Sequence, residues 1–215
     1  FAIYSGDLKA AHPAHEIALL APKAIGSKLL SLYQEARAAN PGGFHRLVAG
    51  FHAPQKSESA VRALARDLGF APNNLVPASF EQETVGDLLS EQGLLCGGVF
   101  TLLEWTLQAM EKAGVPTALI HEECLTELEL IAGLLRERGP AATFNAISQA
   151  AQCGTVEMSR ALNKSDARAH FDAQLSTVLN KNFAETFRRG AWKPEAQALA
   201  DRLQAWEKKL KERNS

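Results

Sequence analysis

Two pairs of carboxylates dominate the chemistry that this sequence could perform. Asp87 and Glu91 lie four residues apart in ETVGDLLSEQ, and Glu123 and Glu127 have the same spacing in HEECLTEL. On an α-helix, residues at i and i+4 project from one face, one turn apart. Both pairs lie among apolar residues, and an unpaired carboxylate beside a buried stripe is very costly. We therefore expect these carboxylates to have a partner.

A hard divalent cation is the simplest partner for four carboxylates. Oxygen donors suit magnesium or manganese better than zinc. Two ions that share one bridging carboxylate could polarise a carbonyl and hold an alkoxide. A solvated acidic helix face is the common alternative for an isolated pair of this spacing, and the residues by themselves leave both interpretations open.

The composition is that of an ordinary globular protein. The chain has 215 residues, of which 46% are hydrophobic and 22% charged. A net charge of -1 gives no reason to expect nucleic acid or an anionic membrane as a partner, and no apolar run approaches the roughly 20 residues of a membrane span. Three widely spaced cysteines, Cys96, Cys124 and Cys153, indicate reduced, buried thiols in a cytoplasmic protein.

Residues 1–82 have the pattern of an α/β fold. The chain opens on an apolar, strand-like run (FAIY), and further short strands are predicted at 17–21, 46–49 and 75–77, with helices at 26–38 and 57–68 between them. Strands that alternate with helices indicate βαβ units and a parallel sheet. The sequence contains no G-x-G-x-x-G, so we expect the phosphate-binding turn of a dinucleotide fold in a segment upstream of this chain.

From residue 83 onward the pattern is helical. Helices are predicted near 84–92, 98–113, 116–137, 140–153, 165–180, 182–190 and 194–213. Gly114, Gly139, Gly154 and Gly190 lie where C-terminal caps belong. The Gly97–Gly98 pair is expected to permit close packing of helices. The predicted fold class is therefore α/β plus all-α, a partial Rossmann-like parallel sheet followed by an all-helical domain.

Three segments together resemble one known family. The stretch FEQETVGDLLSEQGLLCGG, followed by ECLTELELI and then by FNAISQAAQCG, resembles the ketol-acid reductoisomerase family. The resemblance runs without a gap over residues 80–154 and is weaker in LLAPKAIG and VLNKNFAETF. It implies that residues 1–82 are the C-terminal part of an NADP-binding domain and residues 83–215 a knotted helical domain. It also implies a homodimer in which two helical domains interlock.

The resemblance implies a site with two magnesium ions. Asp87 matches the aspartate that bridges the two ions, and Glu91 matches a ligand of one of them. Glu123 and Glu127 match the glutamates that complete the site around the second ion, and Glu127 also lies toward the substrate. In the interlocked dimer, Glu123, Glu127 and Ser148 would reach the site of the other subunit.

Further residues match the family's contacts to substrate and nucleotide. Ser148 matches the serine that contacts the substrate carboxylate. Lys23, in APKAIG, matches a lysine beside the metals and the substrate oxygens, so that Lys23, Asp87 and Glu91 form the implied catalytic group. Gly26 matches a glycine that contacts NADP.

The activity implied by the resemblance has two steps. An alkyl group of a 2-acetolactate-type keto acid migrates with the help of magnesium, and NADPH then reduces the product to a 2,3-dihydroxy acid. This reaction belongs to branched-chain amino-acid biosynthesis.

One position departs from the family's pattern. The family has a histidine in a motif like FAHGFNI, whereas this chain has FAIYSGDL with Ile3 at that place. Three hypotheses follow: a working reductoisomerase, a divergent homologue that binds magnesium and a keto acid but has altered or lost activity, and a non-enzymatic helical dimer.

Overall fold

The computed structural model describes the backbone of residues 1–211 and the side chains of residues 1–208. The chain divides into two compact units, Phe1–Leu88 and the remainder from Leu89 onward. The predicted boundary near residue 82 concerns the domains of the complete protein, and it stays a prediction.

The first unit combines a small sheet with short helices. Its elements are α1 (Asp7–Ala11), β1 (Leu19–Pro22), α2 (Gly26–Ala39), β2 (Ala49–His52), α3 (Glu58–Asp67), a 3-10 turn (Pro72–Asn74) and β3 (Leu75–Pro77). Helix α4 (Phe80–Ser90) follows and runs past the end of this unit. The opening residues, predicted as a strand, instead form a turn in which the Ser5 amide donates to the Phe1 carbonyl.

The sheet is mixed, so the prediction of a parallel sheet is correct for one pair of strands and wrong for the other. The order is β1-β2-β3. Strands β2 and β3 are parallel, with Ala49 opposite Leu75, whereas β1 and β2 are antiparallel, with Leu19 opposite His52. The alternation of strands and helices predicts that a helix intervenes between two strands. It does not determine the direction of the second strand, because the loops on either side of the helix determine that direction.

The core of the first unit is small. Ala49 on β2, Ala65 on α3 and Phe70 are almost fully buried. Partly buried leucines surround them, namely Leu20, Leu29, Leu47 and Leu75. The two small alanine side chains in this cluster let α3 pack closely against β2.

The second unit is helical, as predicted, with no strand among its described residues. Its helices are α5 (Gly97–Lys112), α6 (Thr117–His121), α7 (Glu127–Arg138), α8 (Pro140–Ala146), α9 (Gln149–Lys164), α10 (Ala167–Leu179), α11 (Asn182–Arg189) and α12 (Lys193–Lys211). The predicted last helix extends beyond the described residues.

One predicted long helix is broken by an extended segment. The helix predicted at 140–153 breaks at Ile147 and Ser148, whose backbones are extended. Gly154 therefore lies inside α9 rather than at a cap, which corrects that prediction. By contrast, Gly139 and Gly190 end their helices with φ of 79° and 66°, a conformation that favours glycine.

Two π-turns interrupt the regular α-helical bonding. We name π-turn 1 the segment Glu91–Leu95 and π-turn 2 the segment Glu122–Thr126. The first lies between α4 and α5, and the second between α6 and α7. In a π-turn the backbone amide bonds to the carbonyl five residues earlier, which inserts one residue into the turn.

The helical stretch Phe80–Lys112 is long and apolar. It has 33 residues, and an 18-residue window within it has a mean hydropathy of 1.2. By length and composition alone such a helix could cross a membrane, as the core helix of a globular protein also could. Only 6% of that window is buried within the chain. The expectation of no membrane partner therefore stays a prediction.

The three cysteines are free thiols, but the prediction that they are buried is wrong for two of them. Cys96 and Cys153 are exposed, and Cys124 is partly buried. Apolar sequence neighbours suggested burial, yet many of those neighbours are themselves exposed on the single chain, including Leu94 and Leu95.

Candidate functional site

Lys23 and Asp87, two residues of the predicted catalytic group, lie together in the first unit. Lys23 directly follows β1, and its backbone amide donates to the Val48 carbonyl at 2.8 Å. Its ammonium donates to Glu83 Oε1 at 2.6 Å and to Asp87 Oδ1 at 3.2 Å. Strand β1 and helix α4 therefore place a positive charge between two carboxylates.

The charge of Lys23 is stabilised by this arrangement. Partial burial by itself would lower the pKa of Lys23, but the hydrogen bonds to Glu83 and Asp87 outweigh burial and raise its pKa above the ordinary value. Lys23 therefore stays protonated at neutral pH, as a group that neutralises developing negative charge must.

Glu83 is a site residue that the sequence prediction missed. Its side chain is only 12% exposed, against 46% for Asp87, so Glu83 is the inner partner of the ammonium. A signal for it exists in the sequence, because Glu83 stands four residues before Asp87 just as Asp87 stands four before Glu91.

Gly26, the predicted nucleotide contact, is the first residue of α2. It is exposed, and a β carbon added there would meet no atom within 4 Å. Crowding within the chain therefore does not explain a glycine here. An open helix start with free backbone amides is a common place for a phosphate group to bind.

The second pair of carboxylates lies in the second unit, beside an apolar cleft. Glu123 belongs to π-turn 2, and Glu127 is the first residue of α7. Both line a cavity of about 350 Å³ between α5 and α7. The other lining residues are Val99, Leu102, Leu103, Thr106, Cys124, Leu128 and Ile131. The two carboxylates could hold a cation at the edge of the cleft, while the apolar groups of a ligand occupy the cleft itself.

A small hydrogen-bond network is centred on Glu122 of π-turn 2. Thr126 Oγ1 donates to Glu122 Oε2 at 2.8 Å, and His121 Nδ1 lies 3.2 Å from Glu122 Oε1. The Thr126 hydrogen bond, followed by that of His121, lowers the pKa of Glu122. His121 is thus directed at Glu122.

Ser148, the predicted substrate contact, caps helix α9. Its Oγ accepts a hydrogen bond from the Ala151 amide at 3.2 Å. The side chain is exposed, so the hydroxyl hydrogen is available to a further acceptor.

The donor set suits magnesium in type, although the expected burial of the carboxylates is not observed. Glu91, Glu123 and Glu127 are exposed on the single chain. Among the side chains that the structure describes, residues 1–208, no three His, Cys, Asp or Glu lie close enough together to hold a metal ion. The available oxygens are hard ligands of the kind that magnesium prefers.

The fold and the acidic pairs define a protein in which a small α/β unit joins a helical, carboxylate-bearing unit. The family model for the C-terminal domain of ketol-acid reductoisomerase matches residues 80–214, well over half of the chain. The chain therefore belongs to the ketol-acid reductoisomerase family, which confirms the resemblance.

Curated relatives agree with this assignment. A ketol-acid reductoisomerase (NADP(+)) of Petrotoga mobilis is 28% identical over 172 residues, covering 79% of this chain and 50% of the relative. The enzyme of the same description from Helicobacter pylori (strain Shi470) is 30% identical over 175 residues, with the same coverage. The chain thus spans about half the length of the curated relatives that it matches.

A solved structure shares the fold. The NADH-preferring ketol-acid reductoisomerase from an uncultured archean superposes with a TM-score of 0.67 over 88% of this chain and 56% of that chain. The two sequences are 24% identical, so this likeness supports the fold alone.

Proposed function

We propose that the protein containing this chain is a ketol-acid reductoisomerase of branched-chain amino-acid biosynthesis. It would convert a 2-acetolactate-type keto acid to a 2,3-dihydroxy acid, with alkyl migration followed by reduction by NADPH. The observation that carries this proposal is the contact of the Lys23 ammonium with Asp87 at 3.2 Å, in a chain of this family.

In this proposal, Asp87, Glu91, Glu123 and Glu127 hold two magnesium ions. When bound, the ions polarise the substrate carbonyl and stabilise an alkoxide. The carboxylates of Glu91, Glu123 and Glu127 are exposed and supply hard oxygen donors. Asp87 lies 3.2 Å from the Lys23 ammonium, so the proposed metal ligand and the proposed catalytic cation are neighbours.

Lys23 acts on the substrate through its charge. Its ammonium, held by Glu83 and Asp87, lies where a positive charge favours the formation of an alkoxide. Because Glu83 fixes the ammonium from the inner side, the positive charge is in place before the substrate binds.

Ser148 and Glu127 bind the substrate in this proposal, and Gly26 contacts the nucleotide. The Ser148 hydroxyl accepts from the Ala151 amide and can donate its own hydrogen to a substrate carboxylate. NADPH is favoured as the reductant by the NADP(+) in the names of both curated relatives.

We further propose a homodimer with interlocked, knotted helical domains. Its support is the exposed apolar surface of the second unit, because large apolar patches on a single chain usually mark an interface. Exposed members of this surface include Leu94, Leu95, Trp105 and Leu130. In the dimer, Glu123, Glu127 and Ser148 would serve the site of the partner subunit.

The experiment uses the purified full-length protein. NADPH oxidation is followed with 2-acetolactate and magnesium for the wild type, for Asp87→Asn and for the control Asp67→Asn at the end of α3. We expect turnover in the wild type and the control, and a loss of roughly 100-fold or more in Asp87→Asn, the scale of removing one transition-state charge stabiliser. Absence of magnesium-dependent turnover in the wild type, or full activity of Asp87→Asn, would overturn the proposal.

A further inference from the structure

π-turn 1 starts at a proposed metal ligand. The Cys96 amide donates to the Glu91 carbonyl at 2.8 Å, five residues back along the chain. π-turn 2 lies at the second acidic pair in a different register: it contains Glu123, and its closing bond runs from the Glu127 amide to the Glu122 carbonyl. Single π-turns within α-helices are rare and occur frequently at functional sites.

Two glycines allow π-turn 1 to close. A β carbon on Gly97 would lie 1.9 Å from the Gln92 carbonyl oxygen, and one on Gly98 would lie 2.6 Å from the Gly93 carbonyl oxygen. Both obstacles are backbone atoms, so neither can be relieved by rotating a side chain. Any larger residue at position 97 must therefore open the turn. The pair serves the turn itself, in place of the helix packing that the sequence suggested.

Helix α10 holds the same turn from outside. A β carbon on Gly93 would lie 3.1 Å from Cζ of Phe171, so the turn and this ring are in close contact. The Gln174 side-chain amide also donates to Gln92 Oε1 at 3.3 Å. The turn is thus fixed by the two glycines on one side and by α10 on the other.

We infer that Gly97 and Gly98 are positioning residues for the Glu91 carboxylate. Because they have no β carbon, π-turn 1 can contain its extra residue, and that residue sets the direction of Glu91 relative to α5. Removing the extra residue would rotate Glu91 relative to α5 by about 100°, the angle between successive residues of an α-helix. This inference rests on the proposed function, in which Glu91 is a metal ligand.

The test measures Mn²⁺ binding, as a spectroscopic substitute for Mg²⁺, on the full-length protein. Electron paramagnetic resonance gives the free metal, and circular dichroism gives the folded fraction. The variants are Gly97→Ala, Glu91→Gln and the matched control Gly154→Ala, a glycine within α9 whose added β carbon meets no atom within 4 Å. Hydrogen exchange of the Cys96 amide reports directly on the closing bond of π-turn 1.

For Gly97→Ala we expect Mn²⁺ affinity to fall by roughly 10-fold or more, as for other changes that disturb the orientation of a ligand. The Cys96 amide should exchange faster, while the control keeps wild-type affinity and exchange. Wild-type Mn²⁺ affinity of folded Gly97→Ala would overturn the inference. If Glu91→Gln also binds Mn²⁺ normally, the proposed metal role of Glu91 is wrong as well. The two variants therefore distinguish a failure of the glycine inference from a failure of the proposed metal site.

A milder variant decides the matter if Gly97→Ala does not fold. Phe171→Leu keeps both glycines and loosens the outer support of Gly93. Faster exchange of the Cys96 amide together with weaker Mn²⁺ binding would support the inference. Faster exchange with unchanged Mn²⁺ binding would contradict it, because an open turn would then still position Glu91.

Discussion

Lys23 Nζ and Glu83 Oε1 lie 2.6 Å apart, although the two residues are 60 positions apart in the sequence. This ion pair joins the end of β1 to the first turn of α4. Since Asp87 lies one turn further along α4, Glu83 orients the ammonium that Asp87 also contacts. The strand and the helix are thereby held in the arrangement that the proposed catalytic group requires.

Replacing Glu83 by Gln should reduce turnover without abolishing it. The neutral amide can still accept a hydrogen bond but no longer attracts the ammonium by charge, so Lys23 is held less firmly and relies on Asp87. We expect kcat to fall roughly 10- to 100-fold, the usual range for a residue that orients a metal or catalytic group. Steady-state kinetics would measure this loss.

Glu81→Gln is the matched control, because it removes an exposed carboxylate from the first turn of the same helix. Its kcat should stay near that of the wild type. An equal fall in kcat for the two substitutions would show that the loss of activity comes from the charge of α4 and not from the contact with Lys23.

Magnesium should stabilise the protein against heat. A ligand that binds only the folded state raises stability by about 2.7 kcal/mol at 100 times its Kd. Glu127→Gln should lose most of the increase in melting temperature, whereas Glu129→Gln, an exposed carboxylate on the same helix, should keep it. Differential scanning fluorimetry with and without a chelator measures the magnesium-dependent increase in melting temperature of each variant. An equal increase in both variants would contradict the metal role of Glu127.

Ser148 offers a test that separates its role as a cap from its role in binding. Ser148→Ala should lose the cap to the Ala151 amide, at a cost of about 1 kcal/mol in stability. Ser148→Asp keeps a good capping group but places a negative charge where the substrate carboxylate is proposed to bind. We therefore expect near wild-type stability and a raised KM for Ser148→Asp. A wild-type KM in that variant would exclude contact with the substrate.

The ion pair between Glu104 on α5 and Arg202 on α12 should make the second unit sensitive to acid. Arg202 Nε donates to Glu104 Oε1 at 2.6 Å, and this hydrogen bond lowers the pKa of Glu104 below its ordinary value of 4.5. A lowered pKa in the folded state means that the pair stabilises the fold above pH 4.5, and that this stability is lost as the pH falls through the lower folded value.

The measurement compares melting temperatures from neutral to acidic pH. The wild type should melt at a higher temperature than Arg202→Gln near neutrality, and the gap should close below pH 4.5 as Glu104 takes up a proton. Lys112→Gln removes a positive charge from α5 and leaves the ion pair intact. The difference in melting temperature between this variant and the wild type should therefore not close below pH 4.5. A gap for Arg202→Gln that is independent of pH would contradict this account.

Hydrophobic spacing and glycine positions predict most of the helices. Gly139 and Gly190 end α7 and α11 as expected, because each carries a positive φ. The break before α9 is not predicted, because its local signal is a single capping residue, Ser148, whose hydroxyl accepts from a backbone amide three residues on. The direction of β1 was also missed, because it is determined by loop geometry that has no periodic pattern.

The candidate site could be predicted in its residue types but not in its geometry. The spacing of Asp87 and Glu91 suggests two successive positions on one regular helix, yet a π-turn begins at Glu91. A π-turn depends on steric contacts of single residues, here Gly97 and Gly98, which a pattern of apolar residues does not record. Glu83 was missed because its partner, Lys23, is distant in the sequence.

If the proposed homodimer covers the exposed apolar surface of the helical stretch Phe80–Lys112, the folded fraction of the protein depends on its concentration. An 18-residue window of this stretch is only 6% buried in one chain, and in the proposed homodimer a second copy would cover part of it. Mass action then makes the folded fraction rise with the amount of protein present.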